Sequence, residues 1–163
     1  MAVIDSLEFA RTGQALSGSL PLAEMLRLKD SLHAAVGAVQ YEIQGGHDAR
    51  RRPVLTLTIK GTLPLRCQRC LEAMEYPLAL VNTLRLAAGD TGGAGDEADE
   101  ETDEIEASAT LDVAALVEDE LLLSLPYAPR HDEARCKAGG GEPSRQGSVQ
   151  AFAQLAALKR NRD

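Results

Sequence analysis

Three cysteines and one histidine are the residues of this chain whose type and spacing could do chemistry. Cys67 and Cys70 form a Cys-x2-Cys step, with Arg66 and Arg69 before and between them. Sixty residues further on, His131 and Cys136 form a His-x4-Cys step. Soft thiolates plus one imidazole, four in all, are the ligand set of a structural zinc site. A Cys-x2-Cys step fits a tight knuckle in which both sulfurs point at one ion, although Leu71-Glu72 lacks the glycine that often eases such a turn. Other chemistries stay open. Cys67 and Cys70 could be a redox pair, the first attacking and the second resolving. Such pairs open a helix whose N-terminus lowers the thiol pKa, whereas Pro64 precedes this pair and a strand-like run containing Pro77 follows it. The cysteines could be small buried apolar groups. They could also bind a metal without His131, which sits beside Asp132 and Glu133.

No other constellation suggests catalysis. The chain has no Gly-rich phosphate loop, no His-Glu-x-x-His and no nucleophile elbow. His33 and His47 are isolated and read as surface residues. The net charge is −8, and eight acids lie within the eleven residues from Asp96 to Glu106, so the remainder is neutral. That acidic run lacks the spacing of a calcium loop. Local basic spots exist at Arg50-Arg51-Arg52, at Arg66 with Arg69, and at Lys159-Arg160 with Arg162. A small basic patch can meet phosphate, but a strongly cationic groove is excluded.

The elements that must position the cysteines read as α+β. Ala15 to Leu20 looks like a short strand or extended arm. Pro21 then suits the first turn of a helix carrying Leu22, Met25, Leu26 and Leu28 to about residue 32. Ala34 to Gln44 and Pro53 to Gly61 alternate as two strands of a hairpin, with residues 45–50 as its turn. Met74 to Leu86 is a further strand, with Tyr76, Leu78, Leu80 and Leu84 on one face, so the cysteine pair occupies a bend between strands. Residues 88–103 form an acidic flexible loop too poor in apolar surface to order itself. Thr110 to Leu125 is a helix capped by Thr110 or Asp112 and stopped by Pro126. Its last turn, Leu121-Leu122-Leu123 with Leu125, is apolar all round and so expected to be enclosed. The route through Pro129 carries His131 and Cys136 back to the first pair. The expected organisation is one domain over 1–137, a flexible linker over 138–147, and a basic C-terminal helix over 148–163. In that helix Phe152, Leu155, Lys159 and Arg160 are candidates for docking a partner. The main sheet is expected to be mostly antiparallel, packed by the helices near 21–32 and 111–125.

No run of eighteen apolar residues exists, and the N-terminus lacks the features of a signal peptide. An odd cysteine count argues for a reducing compartment, so a cytoplasmic location is expected.

Four stretches together resemble one family. They are Cys67-Gln68-Arg69-Cys70-Leu71, Val117 to Pro126, the segment from His131 to Cys136, and Phe152 to Arg160. In order and spacing they are similar to the bacterial YceD family of large ribosomal RNA subunit accumulation proteins, over roughly residues 20–162. The resemblance implies a non-enzymatic protein needed for accumulation of 23S ribosomal RNA. Its expected partner is precursor 23S rRNA or a large-subunit ribosomal protein, with neither a membrane nor a small-molecule substrate. Arg66 and Arg69 beside the knuckle are the candidate contacts.

Overall fold

A computed structural model describes residues 2–87, 103–132 and 135–136. A five-stranded sheet runs in the order β2-β3-β4-β5-β6. Its strands are β2 (Ala15–Pro21), β3 (Ala38–His47), β4 (Pro53–Arg66), β5 (Ala73–Ala87) and β6 (Asp103–Glu106). Every pairing is antiparallel except β5 with β6, which is parallel. A small second sheet joins β1 (Val3–Ile4) to β7 (Leu111–Asp112). Among the described residues two α-helices complete the α+β fold, α1 (Ser6–Thr12) and α2 (Val113–Ser124).

The period-two pattern of β3 and β4 sets the core. Val39, Tyr41 and Ile43 on β3, and Leu55, Leu57, Ile59, Leu63 and Leu65 on β4, are all buried. The alternate residues of the same strands face outward as Gln40, Glu42, Thr56, Thr58 and Lys60. On β5, Leu78 and Leu84 are buried, with Tyr76 and Leu80 packed partly buried beside them. The sheet therefore has one apolar face, which the helices cover, and one polar face.

Several expectations are corrected. The segment 21–32 is not an α-helix but two 3-10 turns, Leu22–Glu24 and Leu28–Ser31. Leu22, Met25 and Leu28 are buried. They recur every three residues, which is the 3-10 period rather than the α period. Between the two turns Met25 is extended, with φ −89° and ψ 90°. The second main helix is instead α1. Asp5 caps it by accepting the Glu8 N–H at 3.0 Å, and Gly13 ends it at φ 65°. The hairpin turn lies after residue 47, with Gly45 and Gly46 inside β3. There Asp48 accepts the N–H groups of Arg50 and Arg52, each at 2.8 Å. Gly45 is needed in the strand because a Cβ there would strike the Phe9 carbonyl of α1. Asp103, expected to end the acidic loop, instead begins β6; residues 88–102 lie outside the described residues. The last turn of α2 is not enclosed all round: Leu121 is buried, whereas Leu123 is 79% exposed. The expected linker 138–147 and the helix over 148–163 also lie outside the described residues. Among the described residues, no helix is long and apolar enough to cross a membrane.

Candidate metal centre

The bend between β4 and β5 is closed at its base by the pairing of Arg66 with Ala73. Within it, the Cys67 carbonyl accepts the Leu71 N–H at 2.9 Å, and the Cys67 N–H donates to Glu72 at 3.0 Å. Closing so short a turn forces Leu71 to φ 62°. That is the left-handed region where a glycine would be at ease, and here a 64% exposed leucine occupies it. The knuckle thus forms without its usual glycine.

The second arm arrives from α2. Pro126 follows the helix, and the Pro129 carbonyl accepts the Gln68 N–H at 2.8 Å. This backbone bond ties the arm to the knuckle between its two cysteines. The Asp132 carbonyl then accepts the N–H groups of Arg135 and Cys136, at 2.9 and 3.1 Å. The resulting turn swings the Cys136 sulfur back toward Cys67.

The ligand atoms of Cys67, Cys70, His131 and Cys136 all lie within 4.8 Å of one another. The Cys67 and Cys136 sulfurs are 3.9 Å apart, and Cys70 Sγ is 3.4 Å from His131 Nδ1. A tetrahedral zinc ion with ordinary bond lengths would set sulfurs about 3.8 Å apart and a sulfur about 3.6 Å from a nitrogen. The donor set and its spacing therefore fit such an ion. His131 Nε2 lies 3.0 Å from the Ala73 carbonyl. A carbonyl can only accept, so the proton sits on Nε2 and the Nδ1 lone pair is left facing the sulfurs. Metal-bound histidines are ordinarily oriented by an outer hydrogen bond of this kind.

The electrostatics favour a thiolate at Cys67. Burial pushes that thiol up, but the backbone N–H groups of Cys70, His131 and Arg69 aim at its sulfur, and its pKa falls to about 5. At Cys70 the Glu72 N–H acts to lower the thiol. Burial and the neighbouring Cys67 and Cys136 sulfurs outweigh it, and the net direction is upward. All three cysteines are free, and both Cys67 and Cys136 are buried.

The other expected site residues fare differently. Arg66 and Arg69 are exposed beside the knuckle. Phe152, Leu155, Lys159 and Arg160 lie outside the described residues. Sequence reasoning missed Tyr127, which is fully exposed. It borders a groove of about 430 Å³ with Arg66, Gln68, Leu122 and Leu125. Its signal was slight: an aromatic following Pro126, in a chain with only five aromatic residues.

Fold and site together define an α+β protein in which a strand bend and a post-helical arm converge three thiols and an imidazole, an arrangement compatible with a metal site. The chain belongs to the family of large ribosomal RNA subunit accumulation proteins, YceD, whose model matches residues 55–159. It is 25% identical over 144 residues to the large ribosomal RNA subunit accumulation protein YceD of Haemophilus influenzae, covering 85% of this chain and 80% of that relative. No solved structure matches it. The family takes its name from the accumulation of large-subunit ribosomal RNA and not from a catalysed reaction.

Proposed function

We propose that this protein supports accumulation of 23S ribosomal RNA by binding precursor rRNA, through a surface braced by a zinc ion on Cys67, Cys70, His131 and Cys136. The observation that carries the RNA reading is the groove beside the knuckle, where an exposed tyrosine, Tyr127, stands with Arg66 and Gln68. Single-stranded RNA is held by stacking its bases on aromatic rings and by pairing its phosphates with arginine. Arg69, exposed on the knuckle itself, would offer a second cation. The segment carrying Phe152, Leu155, Lys159 and Arg160 would add further contacts. Zinc would supply no reaction step here; it would fix the bend that presents Arg66 and Arg69. A redox role for Cys67 is disfavoured by its burial, since its sulfur is shielded from any protein disulfide it would attack.

The test has two parts. Elemental analysis of the purified full chain should give about one zinc per chain, lost in both Cys67→Ser and Cys136→Ser. Binding to single-stranded segments of 23S rRNA should weaken steeply with salt. Arg66→Ala should flatten that dependence, and Tyr127→Ala should weaken binding by about 1–3 kcal/mol. A metal-free protein with three freely titrating thiols would sink the zinc site. RNA binding indifferent to salt and to both substitutions would remove this surface as the RNA contact and favour a ribosomal protein as partner.

A further inference from the structure

The sheet has an open edge at β2, and the hydrogen-bond register fixes which groups it presents. The Gly45 N–H donates to the Gln14 carbonyl, and the Leu22 N–H donates to the Gly37 carbonyl. Both bonds lie on the β2–β3 register, in which Leu16 opposes Ile43 and Leu20 opposes Val39. Bonded and non-bonded pairs alternate in an antiparallel ladder, so Leu16, Gly18 and Leu20 bond to β3. Ala15, Ser17, Ser19 and Pro21 then direct their backbone groups away from the sheet. All four are exposed, and among the described residues no element pairs with this edge.

Edge strands are normally blunted by a charge, a proline or a bulge. The free stretch of β5 has such devices, for Glu75 and Pro77 stand on it. β2 carries no charged residue from Ala15 to Pro21, and its proline stands only at its end. Its sequence is also self-complementary. Leu16-Ser17-Gly18-Ser19-Leu20 reads the same in both directions about Gly18. Antiparallel pairing with an identical strand, centred on Gly18, would set Ser17 against the second copy's Ser19 and Leu16 against its Leu20. The outward groups of Ser17 and Ser19 would then meet outward groups. The half-buried Leu16 and Leu20, packed against each chain's own core, would meet across the junction. The proline causes no conflict, because only its carbonyl is needed, by the second copy's Ala15 N–H. Such a junction exchanges about six backbone hydrogen bonds.

We propose that β2 is the pairing surface for a second copy of this chain, joining two five-stranded sheets into one about a two-fold axis through Gly18. The contact is isologous, so it closes at two copies and does not propagate.

Sedimentation equilibrium of the full chain at rising concentration tests this. The mass should climb from the 17.4 kDa of one chain toward twice that value. Ser19→Pro removes an outward N–H that the β2–β3 ladder does not use, and should hold the mass at one chain with the circular dichroism spectrum unchanged. If that variant misfolds, the double variant Ser17→Lys/Ser19→Lys keeps both N–H groups, sets like charges opposite each other across the axis, and should also stay single. The register has its own test. Chains carrying Ser17→Cys mixed with chains carrying Ser19→Cys should cross-link on oxidation, because paired Cα atoms about 5.5 Å apart fall within disulfide reach. Either variant alone should not cross-link through the new cysteine, since identical positions would lie beyond the roughly 7 Å limit. A wild-type chain that stays single at every concentration overturns the proposal. So does dimerisation of a correctly folded variant at wild-type strength, or equal cross-linking in the unmixed samples.

Discussion

Glu118 lies in the middle of α2, where a charged residue would normally face water, yet it is only 8% exposed. Its carboxylate holds the junction between the two 3-10 turns. Oε1 accepts the N–H of Arg27 at 2.6 Å and of Leu28 at 3.0 Å, and Oε2 accepts from the Arg27 guanidinium at 3.2 Å. Glu118→Ala would strand the two backbone donors that its Oε1 serves. A lost hydrogen bond to a charged partner costs about 1.5–3 kcal/mol. The two losses are not additive, because Arg27 is itself half exposed and water can reach its side of the junction. A total of about 3 kcal/mol is therefore expected, or a fall in Tm of about 6–12 °C for a chain of this size. Asp119 is the internal control. It also binds Arg27, at 2.5 Å, but is 50% exposed, so Asp119→Ala should cost less than about 1 kcal/mol.

The pH dependence gives a second readout. Burial pushes the Glu118 carboxyl up, but the N–H groups of Leu28 and Arg27 and the guanidinium outweigh it and hold it below its ordinary value of 4.5. A group depressed in this way stabilises the fold fully above its unfolded pKa and loses that contribution as the pH falls through its folded one. The stability gap between wild type and Glu118→Gln should thus be constant above pH 4.5 and narrow below it. Thermal melts followed by circular dichroism across that range measure both effects. If Glu118→Ala costs no more than Asp119→Ala, or the gap does not narrow, the carboxylate does not hold this junction.

Four further substitutions, at three positions, check the backbone reading, each by urea unfolding. Leu71→Gly should leave stability within about 1 kcal/mol of wild type or raise it, because relief of the left-handed strain offsets the entropy of glycine. Leu71→Val should lower stability, since a β-branched residue tolerates that conformation poorly. Gly45→Ala should cost more than about 2 kcal/mol by driving α1 off β3. Gly46→Ala next to it, where a Cβ meets open space, should cost less than 1 kcal/mol.

The strands were legible because the apolar residues of β3, β4 and β5 follow a period of two, broken within β4 at Gly61 and within β5 at Asn82, and the cysteine bend was legible as the gap between two of them. α1 was missed although its boundaries are written in the chain. Asp5 and Glu8 stand at capping spacing and Gly13 stands at the stop, but a seven-residue helix gives too few turns for periodicity to show. The segment 21–32 misled for another reason. Its leucines and methionine do face the core, but the junction between its two turns is held by Glu118, about ninety residues away, which no local pattern shows. β6 was hidden by its composition. Asp-Glu-Ile-Glu has little strand propensity, and its pairing is supported from outside, by Arg85 bound to Glu104 and by Asn82 bound to Asp103. The convergence of the three cysteines and His131 was legible from their types and spacing, whereas the Tyr127 groove depends on where the arm after α2 lies, which no local pattern encodes.

That arm also bears on what an ion would do here. Small zinc modules fold only when metal binds, because they lack a core of their own. In this chain the hydrophobic cluster is built from α1, the two 3-10 turns, β3, β4, β5 and α2, and it forms without the four candidate ligands, although Cys67 and Cys136 are themselves buried. α2 is fixed to that core at three separate places: by Glu118 to residues 27 and 28, by Glu120 to Asn82 at 2.8 Å, and by the buried Val117 and Leu121. The arm leaving it is joined to the knuckle by Gln68 and Ala73 through hydrogen bonds that require no ion. The four candidate ligands thus stand together in the fold. On the proposed reading the ion stabilises an arrangement already drawn up. Its removal would loosen the knuckle at 67–72 and the arm that follows Pro126, and with them the setting of Arg66, Arg69 and Tyr127, and leave the sheet intact. The metal would then govern the binding surface far more than the fold.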